Sequence, residues 1–304
     1  MDKKLLKIVN KFKEQKILVI GDLILDKYIN GDVVRVSPEA PVLILNKTSE
    51  DYVLGGAGNV AANIASLSGN AMLMGFIGKD NEGRKIIELA EKKAIQIFPA
   101  YDYKTIKKTR ITSENQQLLR IDEEDTNPKY FNLNLIKQKI NQVDLIIISD
   151  YAKGAITENL MKLISDKNKK IIVDPKPQNK SFYKDVFLIT PNQKEALEMS
   201  SCSDVHEAGE KLKEELSANI IITRGKEGMS IFNKCVTDIP TFAKEVFDVS
   251  GAGDTVIATL GLALASGADL EQAAIIANHA AEIVVGKHKT AMANFSELKK
   301  ELGK

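Results

Sequence analysis

Five uninterrupted apolar runs constrain this chain more than any other feature: Ile17-Leu18-Val19-Ile20, Leu145-Ile146-Ile147-Ile148, Ile171-Ile172-Val173, Val186-Phe187-Leu188-Ile189 and Ile220-Ile221-Ile222. A strand with one wet face alternates apolar and polar residues, so runs apolar at every position belong to strands covered on both faces. Each run ends in polar residues: Gly21-Asp22, Ser149-Asp150-Tyr151, Asp174-Pro175-Lys176, Thr190-Pro191-Asn192 and Thr223-Arg224-Gly225. The pattern predicts repeated β-α units, hence an α/β fold with a mostly parallel sheet flanked by helices in a Rossmann-like three-layer arrangement. In such sheets the strand tips build one crevice, and ligands bind there.

Composition narrows the partner. A formal net charge of +1 over 304 residues, with acids and bases interspersed, gives no field for nucleic acid or an anionic membrane. Any anionic ligand must be met by local groups, so a small molecule is expected. Cys202 and Cys235 are the only cysteines, too few for a disulfide framework or a zinc site. With no apolar run long enough for a signal peptide or a bilayer span, a cytoplasmic protein is expected.

The chemistry concentrates in Asp248-Val249-Ser250-Gly251-Ala252-Gly253-Asp254, which precedes a long apolar helical pattern. Ser250 offers a side-chain oxygen ahead of the helix, and Gly251 and Gly253 let the backbone turn tightly and bare its N–H groups. Bare amides and the positive end of a helix dipole attract a phosphoryl group. A carboxylate there repels phosphate, so Asp254 implies work: accepting the proton of a hydroxyl that attacks phosphorus. An acid in a first helical turn also interacts favourably with the dipole, so this motif alone does not decide.

Other residues keep two readings. Asp22 ends the first buried run, where an open sheet meets its substrate, and Asp26 shares its face if the segment turns helical. The pair suits sugar hydroxyls, although a strand-end Asp also forms turns. Gly55-Gly56-Ala57-Gly58-Asn59 opens a helix whose small residues let a ligand approach, and Asn59 both donates and accepts. It is no dinucleotide fingerprint, which would directly follow the first strand. Asn192-Gln193-Lys194-Glu195 reads as a capping box, or as a carboxylate holding magnesium at a strand tip. Thr223 to Gly228 is a Gly-rich turn whose Gly225 amide faces a nucleotide, or a plain hairpin turn. Asn278 and His279, in the Ala-rich 270–285 helix, border an adenine or are satisfied internally.

Prolines at Pro38 and Pro41 forbid helix between Val33-Val34-Arg35-Val36 and Val42-Leu43-Ile44-Leu45. This β excursion, about 30–51, joins an alternating stretch, about 101–125, as a candidate lid. Arg110 and Arg120 on the second stretch are anion contacts or a solvated strand face. The lid's apolar residues need a partner, and a homodimer through the lid is expected.

These pieces together resemble the ribokinase-like pfkB carbohydrate kinases over nearly the whole chain. Asp248 to Asp254 matches their C-terminal signature, Gly55-Gly56 the N-terminal one, and Asn192-Gln193-Lys194-Glu195 their magnesium-linked Asn-x-x-Glu. Within the family the chain is most similar to kinases of D-glycero-β-D-manno-heptose 7-phosphate. Gly21 to Asp26, Arg35 to Pro41, Asn115 to Arg120, Ser149 to Gly154 and Val284 to Lys287 carry that similarity.

The resemblance implies one kinase domain over 1–304 that uses ATP and Mg²⁺. It would phosphorylate the anomeric C1 hydroxyl to give the 1,7-bisphosphate, for ADP-heptose and lipopolysaccharide core synthesis. The alternative within the fold is a fructokinase-like or phosphofructokinase-like enzyme. Outside it stand a non-catalytic sugar-binding regulator and a nicotinamide-dependent oxidoreductase; intact Asp254 and Glu195 argue against the regulator.

By the same resemblance, Asp254 is the base, with Gly251, Ala252 and Gly253 stabilising the transferred phosphoryl. ATP falls to Asn192, Gln193, Lys194, Glu195, Thr223, Gly225, Gly228 and Asn278, with Glu195 holding Mg²⁺ directly or through water. The sugar phosphate falls to Asp22, Asp26, Gly55, Gly56, Asn59, Arg110, Gln117, Lys153 and Lys176. Glu114 and Lys289 depart from the subfamily pattern, which has Arg and Gly there. If that Arg meets phosphate in relatives, Lys153, Lys176 or Arg110 must supply the charge here. Many relatives fuse the kinase to an adenylyltransferase; no His-x-Gly-His precedes Lys304, so a stand-alone kinase is expected.

Overall fold

The apolar runs pair with one another. The computed structural model describes residues 3–102, 104–114, 116–165, 169–242, 251–287 and 291–303; Asp248, Val249, Ser250, Asn115 and Lys289 lie outside them. In chain order the strands are β1 (Lys16–Gly21), β2 (Leu23–Val36), β3 (Leu43–Gly56), β4 (Asn70–Gly78), β5 (Gln96–Asp102), β6 (Ile106–Ser113), β7 (Gln116–Glu123), β8 (Leu145–Ser149), β9 (Lys170–Asp174), β10 (Leu188–Ile189), β11 (Asn219–Thr223), β12 (Met229–Phe232) and β13 (Val236–Ile239).

The main sheet runs β13-β12-β11-β10-β9-β8-β1-β4-β5, parallel from β11 through β5, with β12 and β13 antiparallel at one edge. Residues alternate between its faces. Ile17 and Val19 enter a core with the Ala57–Ser66, Ala252–Ala265 and Leu270–Val285 helices, while Leu18 and Ile20 enter another with Leu133–Ile140, Glu158–Ser165 and Val205–Leu216. Both faces are therefore covered, which is why the strands read as unbroken apolar runs; each such buried Ile contributes about 1.5–3 kcal/mol. The expected three-layer α/β architecture is what forms. No helix among the described residues is long and apolar enough to cross a membrane.

The smaller sheet is ordered β3-β2-β6-β7. The excursions expected at 30–51 and 101–125 here span Leu23–Val36 with Leu43–Gly56, and Ile106–Ser113 with Gln116–Glu123. Its base starts earlier because β2 leaves the main sheet one residue after β1 ends, and Leu23, Ile24 and Leu25 are buried as its root. Extended backbone replaces the helical turn that would stack Asp26 over Asp22. Residues 101 and 102 belong to β5 of the main sheet, not to the lid.

Candidate active site

The strand order diverges at β1: β4 and β5 lie to one side, β8 through β11 to the other. A switch of this kind leaves a crevice at the strands' carboxyl ends, and the polar tips named above all open there. The Ala252–Ala265 helix points its first turn at the same place. Gly251 precedes it with φ +80°, a left-handed conformation suited to glycine, and this sharp turn sets Ala252, Gly253 and Asp254 at the helix start.

Asp254 is 7% exposed. Its Oδ2 accepts from Asn59 Nδ2 at 2.6 Å and its Oδ1 from the Tyr151 hydroxyl at 3.1 Å. Burial pushes its carboxyl up to about 6, against the downward pull of those two donors. Asn59 reaches it from the Ala57–Ser66 helix, and that helix is tied to the other where the Thr255 hydroxyl donates to Asn63 Oδ1 at 2.8 Å. The outcome is a fixed carboxylate, ionised at neutral pH yet more basic than an exposed Asp.

Asp22 is almost wholly buried, and its carboxylate accepts from the backbone N–H groups of Tyr151, Lys153 and Ala155 at 2.8, 3.1 and 3.0 Å. It thereby fixes the turn that presents Tyr151. Burial, then the Asp150 carboxylate, raise its pKa. Asp26, on the lid, instead pairs with Arg110 Nη1 at 2.5 Å. Gly55 lies against this pair: a Cβ there would sit 2.2 Å from Asp26 Oδ2.

A cavity of about 180 Å³ in front of Asp254 is lined by Tyr151, Asp174, Lys176, Asn192, Glu195 and Gly253, among others. Asn192 and Glu195 form the capping box: Asn192 Oδ1 accepts from Glu195 N at 2.9 Å and Glu195 Oε2 accepts from Asn192 N at 3.0 Å. The box leaves Glu195 Oε1 to the Lys176 ammonium at the cavity wall. Asp174 makes no side-chain hydrogen bond among the described residues. Burial, then the Asp254 and Glu195 carboxylates, hold its carboxyl well above the ordinary range. Three acids crowd one ammonium, a repulsion that a bound cation would relieve, and an all-oxygen donor set fits Mg²⁺.

A second cavity, about 440 Å³, shares Thr223, Gly253 and Val256 with the first and is walled by Gly225, Gly228, Met229 and Val285. Gly225 and Gly228 take positive φ, +57° and +89°, and Asn278 lines the cavity while its Nδ2 donates to Pro240 O at 2.7 Å. Its size and apolar wall suit a nucleotide base. The structure does not gather every candidate. Gln193 and Lys194 line neither cavity, and Gln117 is exposed on β7. Tyr151 and Asp174 are the residues sequence reasoning misses; both stand in strand tips, the signal that should have singled them out.

A family model described as pfkB family carbohydrate kinase matches residues 14–295. The chain belongs to the pfkB family. It is 41% identical over 305 residues to the bifunctional protein HldE of Helicobacter hepaticus, covering 94% of this chain and 63% of that protein. With HldE of Nitratiruptor sp. it shares 39% over 298 residues, 93% of this chain and 64% of the relative. The chain thus spans less than two thirds of the length of these pfkB relatives. The fold is ribokinase-like: the ribokinase of Thermotoga maritima superposes with a TM-score of 0.77 at 22% identity, covering 95% of this chain and 100% of that one. Escherichia coli phosphofructokinase-2 gives 0.80 at 18%, covering 95% and 98%.

Proposed function

We propose that this pfkB-family chain is an ATP-dependent kinase of D-glycero-β-D-manno-heptose 7-phosphate, acting on the C1 hydroxyl to give the 1,7-bisphosphate. The observation that carries the chemistry is Asp254, buried, held by Asn59 and Tyr151, and placed at a helix start beside Gly251 and Gly253. The carboxylate takes the proton of the attacking hydroxyl. Backbone N–H groups of Gly251 to Gly253 stabilise charge on the transferring phosphoryl, and the apolar cavity holds the adenine. Asp174 and Glu195 would hold Mg²⁺, which when bound neutralises phosphate charge. Asp26 and Asn59 orient the sugar, while Asp22 acts through the turn that carries Tyr151.

The heptose acceptor rests on the motif resemblance and on similarity to the HldE proteins. A panel of heptose 7-phosphate, fructose 6-phosphate and free sugars, with the new phosphate located by phosphorus NMR, tests it. Turnover of the heptose phosphate at C1 supports the reading; exclusive use of fructose 6-phosphate overturns the acceptor and leaves a kinase. Homodimerisation through the lid is part of the same proposal, supported by the exposed Val34, Val36, Leu43, Leu119 and Ile121. A Leu119→Asp chain that sediments as a monomer, against a dimeric parent, would bear it out; two identical profiles would not.

A further inference from the structure

The lid's inner face carries an arrangement that the roles above leave unused. In the pairing of β6 with β7, Arg110 stands directly opposite Arg120, and one step along Lys108 faces Asp122. On the other side of β6, Asp26 is Lys108's partner and Tyr28 is Arg110's, so these side chains share one surface. Like charges directly opposite across two strands destabilise a sheet. Something anionic is needed between them.

The carboxylates at hand meet that need only in part. Arg110 has Asp26 at 2.5 Å, Arg120 has Asp122 at 2.7 Å, and Lys153 has Glu124 at 2.5 Å. Lys108 reaches only that same Glu124, at 3.7 Å, and its ammonium makes no hydrogen bond among the described residues although its side chain is 13% exposed. Four cations therefore share three acids. Lys108 Nζ lies 5.7 Å from the centre of the Tyr151 ring, whose hydroxyl donates to Asp254, so a single tyrosine side chain separates this cationic surface from the base.

We infer that Lys108, Arg110 and Arg120 form a clamp for the phosphate that the acceptor sugar already carries, at the end remote from the hydroxyl being phosphorylated. The inference rests on the kinase reading above and names the residues that select a phosphorylated acceptor over a free one. Asp122 takes Nε and Nη2 of Arg120 and Asp26 takes Nη1 of Arg110, and the remaining guanidinium N–H groups with the Lys108 ammonium match a phosphate's oxygens.

The test uses the full chain with Arg120→Gln, whose parent side chain is 41% exposed and so dispensable for folding, and with Lys108→Met as the second variant. Loss of a charge-assisted contact raises KM for heptose 7-phosphate about 10- to 100-fold while KM for ATP moves less than about twofold. Arg120→Lys recovers part of the loss, and Lys104→Gln, a cation paired with Glu123, shifts neither constant. Inorganic phosphate, competing against the sugar in the parent, ceases to compete in Arg120→Gln. If heptose 7-phosphate is the substrate and both variants keep its KM, the clamp falls and the acceptor reading stands. If only fructose 6-phosphate is used, the acceptor reading falls, and the clamp stands when the variants raise its KM without raising that of free fructose. A parent that prefers unphosphorylated sugars overturns both.

Discussion

The Tyr151 phenol and the Asp254 carboxylate, 103 residues apart in sequence, meet in a hydrogen bond of 3.1 Å at the wall of the cavity that Asp174 and Glu195 also line. The contact joins the tip of β8 to the start of the Ala252–Ala265 helix. It also puts a neutral donor beside the buried acid, since burial, then the Asp254 charge, raise the phenol's own pKa well above its ordinary value.

Asp254 should give turnover and stability opposite responses to pH. As the proposed base it must be ionised, so kcat/KM rises through about pH 6. Its folded pKa lies above the ordinary 3.8, so the folded state binds the proton more tightly than the unfolded chain. That contribution to stability is fully present below pH 3.8 and lost as pH rises through about 6, where ionising the buried acid costs about 3 kcal/mol. Asp254→Asn is expected to lose about 10²–10⁴-fold in turnover, keep ATP affinity, and melt about 5 °C higher at pH 8. Calorimetry at pH 8 and pH 4 checks this, the gain vanishing at the lower pH.

Tyr151→Phe removes one of the two donors that pull the Asp254 pKa down. A hydrogen bond to a charged group contributes about 1.5–3 kcal/mol, so the acid limb of the rate profile should move up by about one pH unit or more. At pH 8 much of the turnover returns. A uniform loss at every pH would instead mean that the phenol touches the substrate.

What the sequence makes legible follows from how local the physics is. An unbroken run such as Leu145-Ile146-Ile147-Ile148 declares a two-sided burial that no distant residue alters, and the Leu270–Val285 helix is readable from its own period. The base of the lid is less so, because Leu23-Ile24-Leu25 is apolar whether it continues the main sheet or roots another. The roles of the acids are the least local. Asp22 and Asp26 look equivalent on paper; the path of the 151–155 turn gives the first to backbone amides, and β6 gives the second to Arg110. Tyr151 and Asp174 gain meaning only when strand tips converge.

Gly55 is predicted to protect the sugar side alone. A Cβ at this position would collide with the Asp26 carboxylate, which is held by Arg110 and cannot simply swing away. Gly55→Ala should therefore raise KM for the sugar about tenfold, as expected when a charge-assisted contact is displaced, with KM for ATP little changed. An equal rise in both constants would show that the lid as a whole had shifted.

Glu195→Gln separates the two readings that the Asn192 to Glu195 segment supports. Glutamine at the third helical position still reaches back to the Asn192 amide, so the capping box survives and stability should change by less than about 1 kcal/mol. What disappears is the charge on the oxygen that faces Lys176 and the cavity. If that charge helps Asp174 to hold magnesium, the Mg²⁺ concentration for half-maximal turnover should rise by about tenfold or more, a loss of at least about 1.4 kcal/mol. Unaltered magnesium dependence together with unaltered stability would leave Glu195 with no role beyond the helix cap, and would shift the metal to Asp174.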